Sequence, residues 1–293
     1  MMAPLVIAVV LNWNRRDDTL ACVASLLEST YQPLRVLVCD NGSVDETPAA
    51  VRSAYPSVEV LELGYNRGFA GGANAGLREA LAAGAEYVLA LNNDTFVEPT
   101  MIERLVEAAA PDVGIVAPLI YYATAPDTIW SAGGLRSRWT LENSRDGRNQ
   151  QDRGDWPKVL DRDFVTGCAM LLSKRALATL GLFDERFFMY YEDNDLCLRV
   201  RGSGLRILLV PGAKMWHRVA ASSGGTDSPA ERYLMAESSV LFFRKHVTGW
   251  HWLIVTPYRI GSALKTTVRL LGHGKIAATA SHWRGLFSGL ART

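Results

Sequence analysis

The sequence predicts an α/β fold, with a mostly parallel central sheet, helices on both faces and a C-terminal helical extension. Three observations carry this expectation. Strand and helix signals alternate through the first 117 residues. The strand signals are short, nearly unbroken apolar runs, as in strands buried on both faces. Clusters of Asn, Asp and Gly stand directly after those runs, where such a sheet gathers the carboxyl ends of its strands.

The first run is Leu5 to Leu11. The segment from Met1 to Leu11 lacks a basic leader region and a cleavage site, so it reads as a strand rather than a signal peptide. A helix follows with Leu20, Val23 and Leu27 on one face, then a second strand from Leu34 to Cys39. Ser43 and Glu46 have capping-box spacing and predict a helix running to about Ala54. Val58 to Leu63 is a third strand, Gly72 to Ala83 a helix and Tyr87 to Leu91 a fourth strand. Met101 to Ala109 reads as helix and Val113 to Ala117 as a fifth strand. Beyond residue 120 the alternation stops. Arg136 to Asp163 is polar and poor in aliphatics, which predicts a flexible loop or short hairpin. Phe164 to Ser173 is again strand-like, and a helix starts near Glu192. Arg206 to Val210 is a strand ended by Pro211-Gly212, and Glu231 to His246 is a helix.

The chain has 293 residues, 48% of them hydrophobic, enough for a large core in one or two domains. The net charge of +1 hides an asymmetry. Residues 238–293 hold eight Lys or Arg and no Asp or Glu, which leaves the rest of the chain 23 basic and 30 acidic residues. An acidic body suits chemistry and a basic tail suits an anionic surface; no nucleic-acid partner is expected. The four cysteines show no metal-type spacing and read as buried, reduced thiols of a cytoplasmic protein. The apolar stretch from Trp250 to Tyr258 is too short to span a bilayer and contains Pro257.

Three polar clusters follow strands: Asn12-Trp13-Asn14, Asp40-Asn41-Gly42-Ser43 and Asn92-Asn93-Asp94. Each alone is ordinary turn chemistry. Together they line one sheet edge, which favours a ligand site. Between them, the Gly-rich segment from Asn66 to Gly76 would let backbone approach a ligand and offer helix N–H groups to a phosphate, or would simply pack against the sheet. Asp94 at a strand end could hold a divalent cation on a diphosphate, or serve as a turn residue. Glu192, Asp193 and Asp195 put three acids in four positions behind Tyr190-Tyr191. They are either helix-dipole partners or carboxylates whose surroundings raise one pKa, as a general base needs. Asp195 could instead pair with Arg199, one turn on. His217 is the sole histidine outside the basic tail.

As an ordered set, these segments resemble glycosyltransferase family 2, in particular its rhamnosyltransferase-like and galactofuranosyltransferase-like members. The matching pieces are Val9 to Asn14, Asp40 to Ser43, Asn66 to Gly76, Leu91 to Asp94, Thr166-Gly167, Tyr191 to Leu196 and Trp216-His217. The resemblance implies the GT-A fold, a Rossmann-like nucleotide-binding sheet continuous with an acceptor-binding part. It divides the chain into a nucleotide-sugar-binding half over residues 1–120, an acceptor-binding and catalytic half over 121–247, and a basic tail over 248–293. It also implies an inverting transfer from a nucleoside diphosphate sugar, assisted by Mg or Mn, with dTDP-L-rhamnose the favoured donor. Donor contacts fall on Asn12, Asn14, Asp40, Asn66, Gly68, Asn74, Asn93 and Asp94. Asp94 and His217 become metal ligands, Asp193 the catalytic base beside Glu192, and Thr166, Gly167 and Glu192 the acceptor wall. The usual metal motif is Asp-x-Asp, and Asn92-Asn93-Asp94 departs from it with fewer charges, so weaker metal binding is expected.

The acceptor so implied is a saccharide or polyprenyl-linked saccharide, in cell-surface polysaccharide synthesis, and a homo-oligomer stays open. In the tail, Ile260, Leu264, Val268 and Leu271 share a helical face, with Lys265 and Arg269 nearly opposite. With Trp250, Trp252 and Trp283, this predicts peripheral association with an anionic membrane surface, against packing on the catalytic body. Two other functions compete. A sugar nucleotidyltransferase would carry its Gly-rich loop directly after strand one, where Asn12-Trp13-Asn14-Arg15-Arg16 stands instead. A catalytically silent nucleotide- or sugar-binding protein on the same fold would tolerate the Asn92-Asn93 departure.

Overall fold

The computed structural model describes residues 3–218 and 226–292; Met1, Met2 and Thr293, which fall within the segments read above, lie outside these. Strand β1 (Val6–Asn12) lies between β2 (Leu34–Asp40) and β4 (Tyr87–Asn92), both parallel to it, and β3 (Glu59–Glu62) extends β2. In this register Asn12 stands opposite Asp40 and Leu11 opposite Asn92. The polar clusters therefore reach one edge together. Beyond β4 the sheet becomes mixed. It continues through β9 (Ala169–Ser173), β6 (Val113–Tyr122), β10 (Arg206–His217) and β5 (Thr95–Val97). β7 (Ala125–Ser131) pairs with β6 and β8 (Leu160–Arg162) with β10. All ten strands form one sheet, so the two halves read from the sequence share it.

Helices cover both faces. Val6, Ala8 and Val10 pack towards α1 (Arg16–Leu27) and α4 (Met101–Ala108), while Ile7 and Val9 pack towards α3 (Gly68–Ala82) and α6 (Glu192–Gly202). That two-sided burial is why β1 has no polar alternation. The four cysteines are buried and free, and burial pushes their thiols up, to about 12 for Cys22, Cys39 and Cys197.

Several sequence expectations need correction. Ser43 and Glu46 form no capping box. Ser43 is drawn into hydrogen bonds with Asp40, Asn12 and Asn14, and α2 (Thr47–Ala54) begins after Glu46, with the Asp45 carboxylate accepting from Thr47. At the start of the Gly-rich segment three N–H groups are already engaged within the protein. The N–H groups of Arg67, Gly68 and Phe69 donate to Asn41 Oδ1, Asn66 Oδ1 and the Phe188 carbonyl. Gly72 instead lets α3 press on the sheet: a Cβ there would stand 2.7 Å from Leu11 Cδ1. β10 does not stop at Pro211-Gly212. Its pairing with β6 shifts register between Val210 and Lys214 and resumes to His217, opposite Tyr122. The segment from Arg136 contains a short hairpin with Arg136 bridged to Asn143.

Three long helices follow: α7 (Pro229–His246), α8 (Trp252–Gly272), which contains Pro257, and α9 (Ile276–Ala291), which the sequence reading did not separate from the tail. α5 (Lys174–Leu180) is short and lies between β9 and α6. The tail packs on the body through Phe187, Phe242, Phe243, Val247 and Val255. α9 lies against α7 through Gly285 and Gly289. A Cβ at Gly289 would stand 2.7 Å from the Glu237 carbonyl oxygen and from Val240 Cβ. On a free helix face Gly→Ala stabilises by about 1 kcal/mol. Here overpacking costs about 1–3 kcal/mol, so Gly289→Ala should lower the thermal midpoint. A raised midpoint would show that the helices do not meet this closely.

Candidate active site

The carboxyl ends of β1, β2 and β4 are joined by a buried polar network. Asn12 has no exposed surface. Its Nδ2 donates to Asp40 Oδ1 at 2.6 Å and Ser43 Oγ at 2.9 Å. Its Oδ1 accepts from Thr19 Oγ1 at 2.7 Å and Asn93 Nδ2 at 2.9 Å. All four hydrogen-bonding positions of the amide are thus used. Asn93 Nδ2 also reaches the Asn14 carbonyl and Thr19. A carboxylate at 93 could not donate these bonds, which gives the central Asn of Asn92-Asn93-Asp94 a physical reason. Asn14 occupies the left-handed region, φ 60°, and its Oδ1 accepts from the Val44 N–H. Asn12 and Asn93 therefore brace the strand ends, and Asn14 and Asp40 stand at their rim.

A second cluster lies after β2 and β3. Asn66 Oδ1 accepts from Asn41 Nδ2 and the Gly68 N–H, and Asn41 Nδ2 also donates to the Gly68 carbonyl. Gly68 has φ +73°, and a Cβ there would collide with the Phe188 carbonyl. Asn74 faces away from this cluster. Its amide holds Phe183 at both backbone groups and donates to Glu185, so it braces the segment before the acidic motif.

The remaining residues line one open cavity of about 900 Å3, walled by Asp94, Trp130, Thr166, Gly167, Glu192, Asp193 and His217. β5 explains how Asp94 and His217 meet. It pairs antiparallel with the end of β10, Thr95 opposite His217. Asp94 Oδ1 and His217 Nε2 stand 3.0 Å apart, both residues buried. Even so, Asp94 Oδ1 and His217 Nδ1 have no aligned hydrogen bond among the described residues, nor has the indole N–H of Trp130, whose ring lies edge-on to His217. A carboxylate and an imidazole left in this state suit a shared cation. Among the described residues no group of three His, Cys, Asp or Glu could hold one alone, so a cation there would need ligands beyond this pair.

The acid pair opens α6. Asp193 Oδ2 accepts from the Gly167 N–H at 3.1 Å and Oδ1 from the Asn194 N–H at 2.7 Å. Burial pushes Glu192 well above the usual carboxylate range, and the charge of Asp193 adds to this; Glu192 Oε2 has no hydrogen-bond partner among the described residues. Burial raises Asp193 as well, against the opposing pull of the two N–H groups, the Asn194 side chain and Arg136. The cavity therefore holds two carboxyls whose ionisation burial disfavours, with the orientation of Asp193 fixed by its hydrogen bonds. Asp195 plays a different part: it is fully buried and ion-paired with Arg199, Lys245 and His246.

Sequence reading missed Trp130 and Arg136, which lie where no periodicity guided it. The role of Asn41 was legible only as part of a turn motif.

The mixed α/β sheet, with the cavity beyond its strand ends, has the GT-A fold of known sugar-transferring enzymes. Two solved structures agree on the fold. A mannosyltransferase from Pyrobaculum calidifontis, in complex with GDP-Man and Mn2+, superposes with TM-score 0.61 at 18% identity, covering 100% of this chain and 77% of that one. GalNAc-T7 with UDP, GalNAc and Mn2+ gives 0.62 at 13% identity over 83% and 48%. The chain belongs to glycosyl transferase family 2, whose model matches residues 7–180. It is 32% identical over 256 residues to an N-acetylglucosaminyl-diphospho-decaprenol L-rhamnosyltransferase of Mycobacterium tuberculosis, spanning 78% of this chain and 80% of that one. It is 23% identical over 246 residues to the dTDP-rhamnosyl transferase RfbF of Shigella flexneri, spanning 82% and 80%. It is a glycosyltransferase.

The raised Glu192 makes stability depend on pH. An acid with a raised folded pKa keeps its proton in the folded state while the unfolded chain has lost it, so stability falls as pH climbs above the ordinary carboxylate range. Glu192→Gln should match the parent protein in acid and become relatively more stable towards neutral pH, measured by denaturant unfolding across pH. A constant difference at all pH values would mean that Glu192 is not held neutral.

Proposed function

We propose that this chain transfers L-rhamnose from dTDP-L-rhamnose, with inversion, to a hydroxyl of an N-acetylglucosaminyl-diphospho-polyprenol. The observation that carries the chemistry is the Asp193 carboxylate, fixed by Gly167 and Asn194 on the same cavity as Asp94 and His217. The sugar and acceptor follow the two relatives named for rhamnosyl transfer.

The reaction is a single displacement. Asp193 takes the proton of the acceptor hydroxyl as that oxygen bonds to the anomeric carbon. The bond from that carbon to the diphosphate breaks, and its electron pair leaves with the nucleoside diphosphate. Asp193 Oδ1 is occupied by the N–H and the side-chain amide of Asn194, whereas Oδ2 spends one lone pair on the Gly167 N–H and keeps another for the acceptor. Glu192, whose carboxyl burial inclines to keep its proton, can donate a hydrogen bond to the acceptor. Thr166 and Gly167 form the adjoining wall. Holding both substrates in line replaces translational entropy otherwise lost at the chemical step. Asn14, Asp40, Asn66 and Gly68 line the donor side, with Asn12 and Asn93 bracing the strand ends and Asn74 the segment before the acid pair. Asp94 and His217 would hold a divalent cation, which supplies positive charge opposite the leaving diphosphate. The imidazole nitrogen favours Mn2+ over Mg2+, which prefers oxygen ligands.

Transfer assays with dTDP-L-rhamnose and UDP-hexoses, with the product anomer read by NMR, test the reading. Preference for a UDP-hexose would overturn the donor assignment, and retained configuration the single displacement. Asp193→Asn should lose about 100-fold or more in turnover with donor affinity kept; near-normal turnover would remove Asp193 as base. Asp94→Ala should abolish the dependence of donor affinity on Mn2+, measured by calorimetry. An unchanged dependence would place the cation elsewhere.

A further inference from the structure

Arg148 reaches the catalytic cavity from the segment that follows β7, and backbone pairing with β7 places it there. Ile129 donates its N–H to the Gln150 carbonyl and accepts from the Asn149 N–H, both at 2.9 Å. The Asn149 side chain accepts from Tyr122 Oη at 2.6 Å. Gly147 and Asn149, on either side of Arg148, are left-handed, φ 66° and 63°, a conformation that Gly and Asn adopt at the least cost. The turn carrying Arg148 is thereby fixed beside Trp130, the chain neighbour of Ile129. The guanidinium stands over the Trp130 ring, 5.9 Å from its centroid. That ring lies 4.6 Å from the His217 ring, and His217 reaches Asp94. All four residues line the same cavity.

Among the described residues the Arg148 side chain has neither an ion pair nor a hydrogen bond. The acids nearest to it in the chain are engaged elsewhere: Asp146 faces Arg162 at 3.3 Å and Glu142 faces Arg259 at 3.0 Å. A carboxylate partner would cancel the charge of Arg148, whereas an indole face holds the guanidinium and leaves that charge whole. The opposite side of the cavity is short of charge. Asn92-Asn93-Asp94 brings one carboxylate, and Asn93 is taken up by Asn12 and Thr19. We propose that Arg148 binds the donor's diphosphate directly, at the phosphate bonded to the sugar, and shares with the Asp94–His217 pair the task of stabilising it. The proposal rests on the nucleoside diphosphate sugar argued above. A guanidinium presents paired N–H groups in one plane, which match two phosphate oxygens. When the bond to the anomeric carbon breaks, its electron pair stays on the phosphate oxygen. A donor already held in place there lowers the barrier without reorganising.

The test is calorimetry of the full chain with dTDP, dTMP, UDP and UMP, in EDTA and again with Mn2+. In both conditions the parent should bind the diphosphate of its preferred base more tightly than the monophosphate. Arg148→Ala should weaken diphosphate binding about tenfold or more and monophosphate binding less than about twofold, with the thermal midpoint of the free protein unchanged. Arg148→Lys, which keeps the charge and loses the planar fork, should fall between parent and Arg148→Ala. Arg145→Ala, which removes an exposed cation from the same cavity, should bind the diphosphate as the parent does. The loss in Arg148→Ala should be equal with and without Mn2+, unlike that in Asp94→Ala. Equal diphosphate affinity of parent and Arg148→Ala overturns the proposal. So does a loss confined to Mn2+, or the same loss in Arg145→Ala, which would make it an effect of the general field. Each of these outcomes leaves the functional reading standing. A parent that prefers UDP overturns the donor assignment alone, because the comparison is then made on UDP and UMP. A parent that binds no nucleoside diphosphate overturns both.

Discussion

The side-chain amide of Asn12 is the constraint on which the site depends. It is fully buried, and water cannot compensate a lost partner, so each of its four bonds must be made within the protein. Those bonds tie β1 to Asp40 after β2, to Asn93 after β4 and to Thr19 in α1. Three strand ends and a helix are thereby held in one arrangement. The same network accounts for the asparagine in the middle of the metal-type motif: only an amide or other donor can complete the bonds that Asn12 and Thr19 accept.

The second constraint is the length of β10. Its register shift at Pro211-Gly212 lets the strand absorb a proline and continue. The continuation pairs with three-residue β5, and that pairing sets His217 beside Asp94. On the other side of the cavity, the turn before β9 sends the Gly167 N–H to Asp193. The Asp94–His217 pair and the Asp193 carboxylate are thus both positioned by backbone from the mixed part of the sheet, where the chain departs from simple strand–helix alternation.

Of the two expectations held for the tail, the structure shows packing on the body. α7 and α9 pack closely through Gly285 and Gly289, and α8 is anchored by Val255 and by Arg259, which reaches Glu142 and Ser239. Packing on the body therefore orients α8 instead of hiding it, and leaves Leu253, Leu264 and Val268 in solvent. Two of its cations, Lys265 and Arg269, line the same cavity as Glu192 and Asp193, where burial and the charge of Asp193 raise the cost of ionising Glu192.

By itself, the sequence determined the parallel core, because unbroken apolar runs such as Val6 to Val10 can only be strands covered on both faces. It also marked the strand-end clusters and the acid pair, since turn residues and carboxylates are costly to place in an apolar setting and so stand out locally. It could not reveal which asparagines are locked in buried side-chain bonds and which stand at the rim: Asn12, Asn74 and Asn93 look like Asn14 until long-range partners are known. Nor could it show that β10 outruns its Pro-Gly, that Trp130 reaches His217, or that Ser43 abandons a helix cap for Asp40. Most of those outcomes hang on contacts between residues far apart in the chain, such as Trp130 with His217, Ser43 with Asn12 and β10 with β6, and local propensity carries no information about them. Only the tertiary structure decided them, because a buried hydrogen bond or a strand pairing outweighs the few tenths of a kcal/mol by which local sequence prefers one conformation.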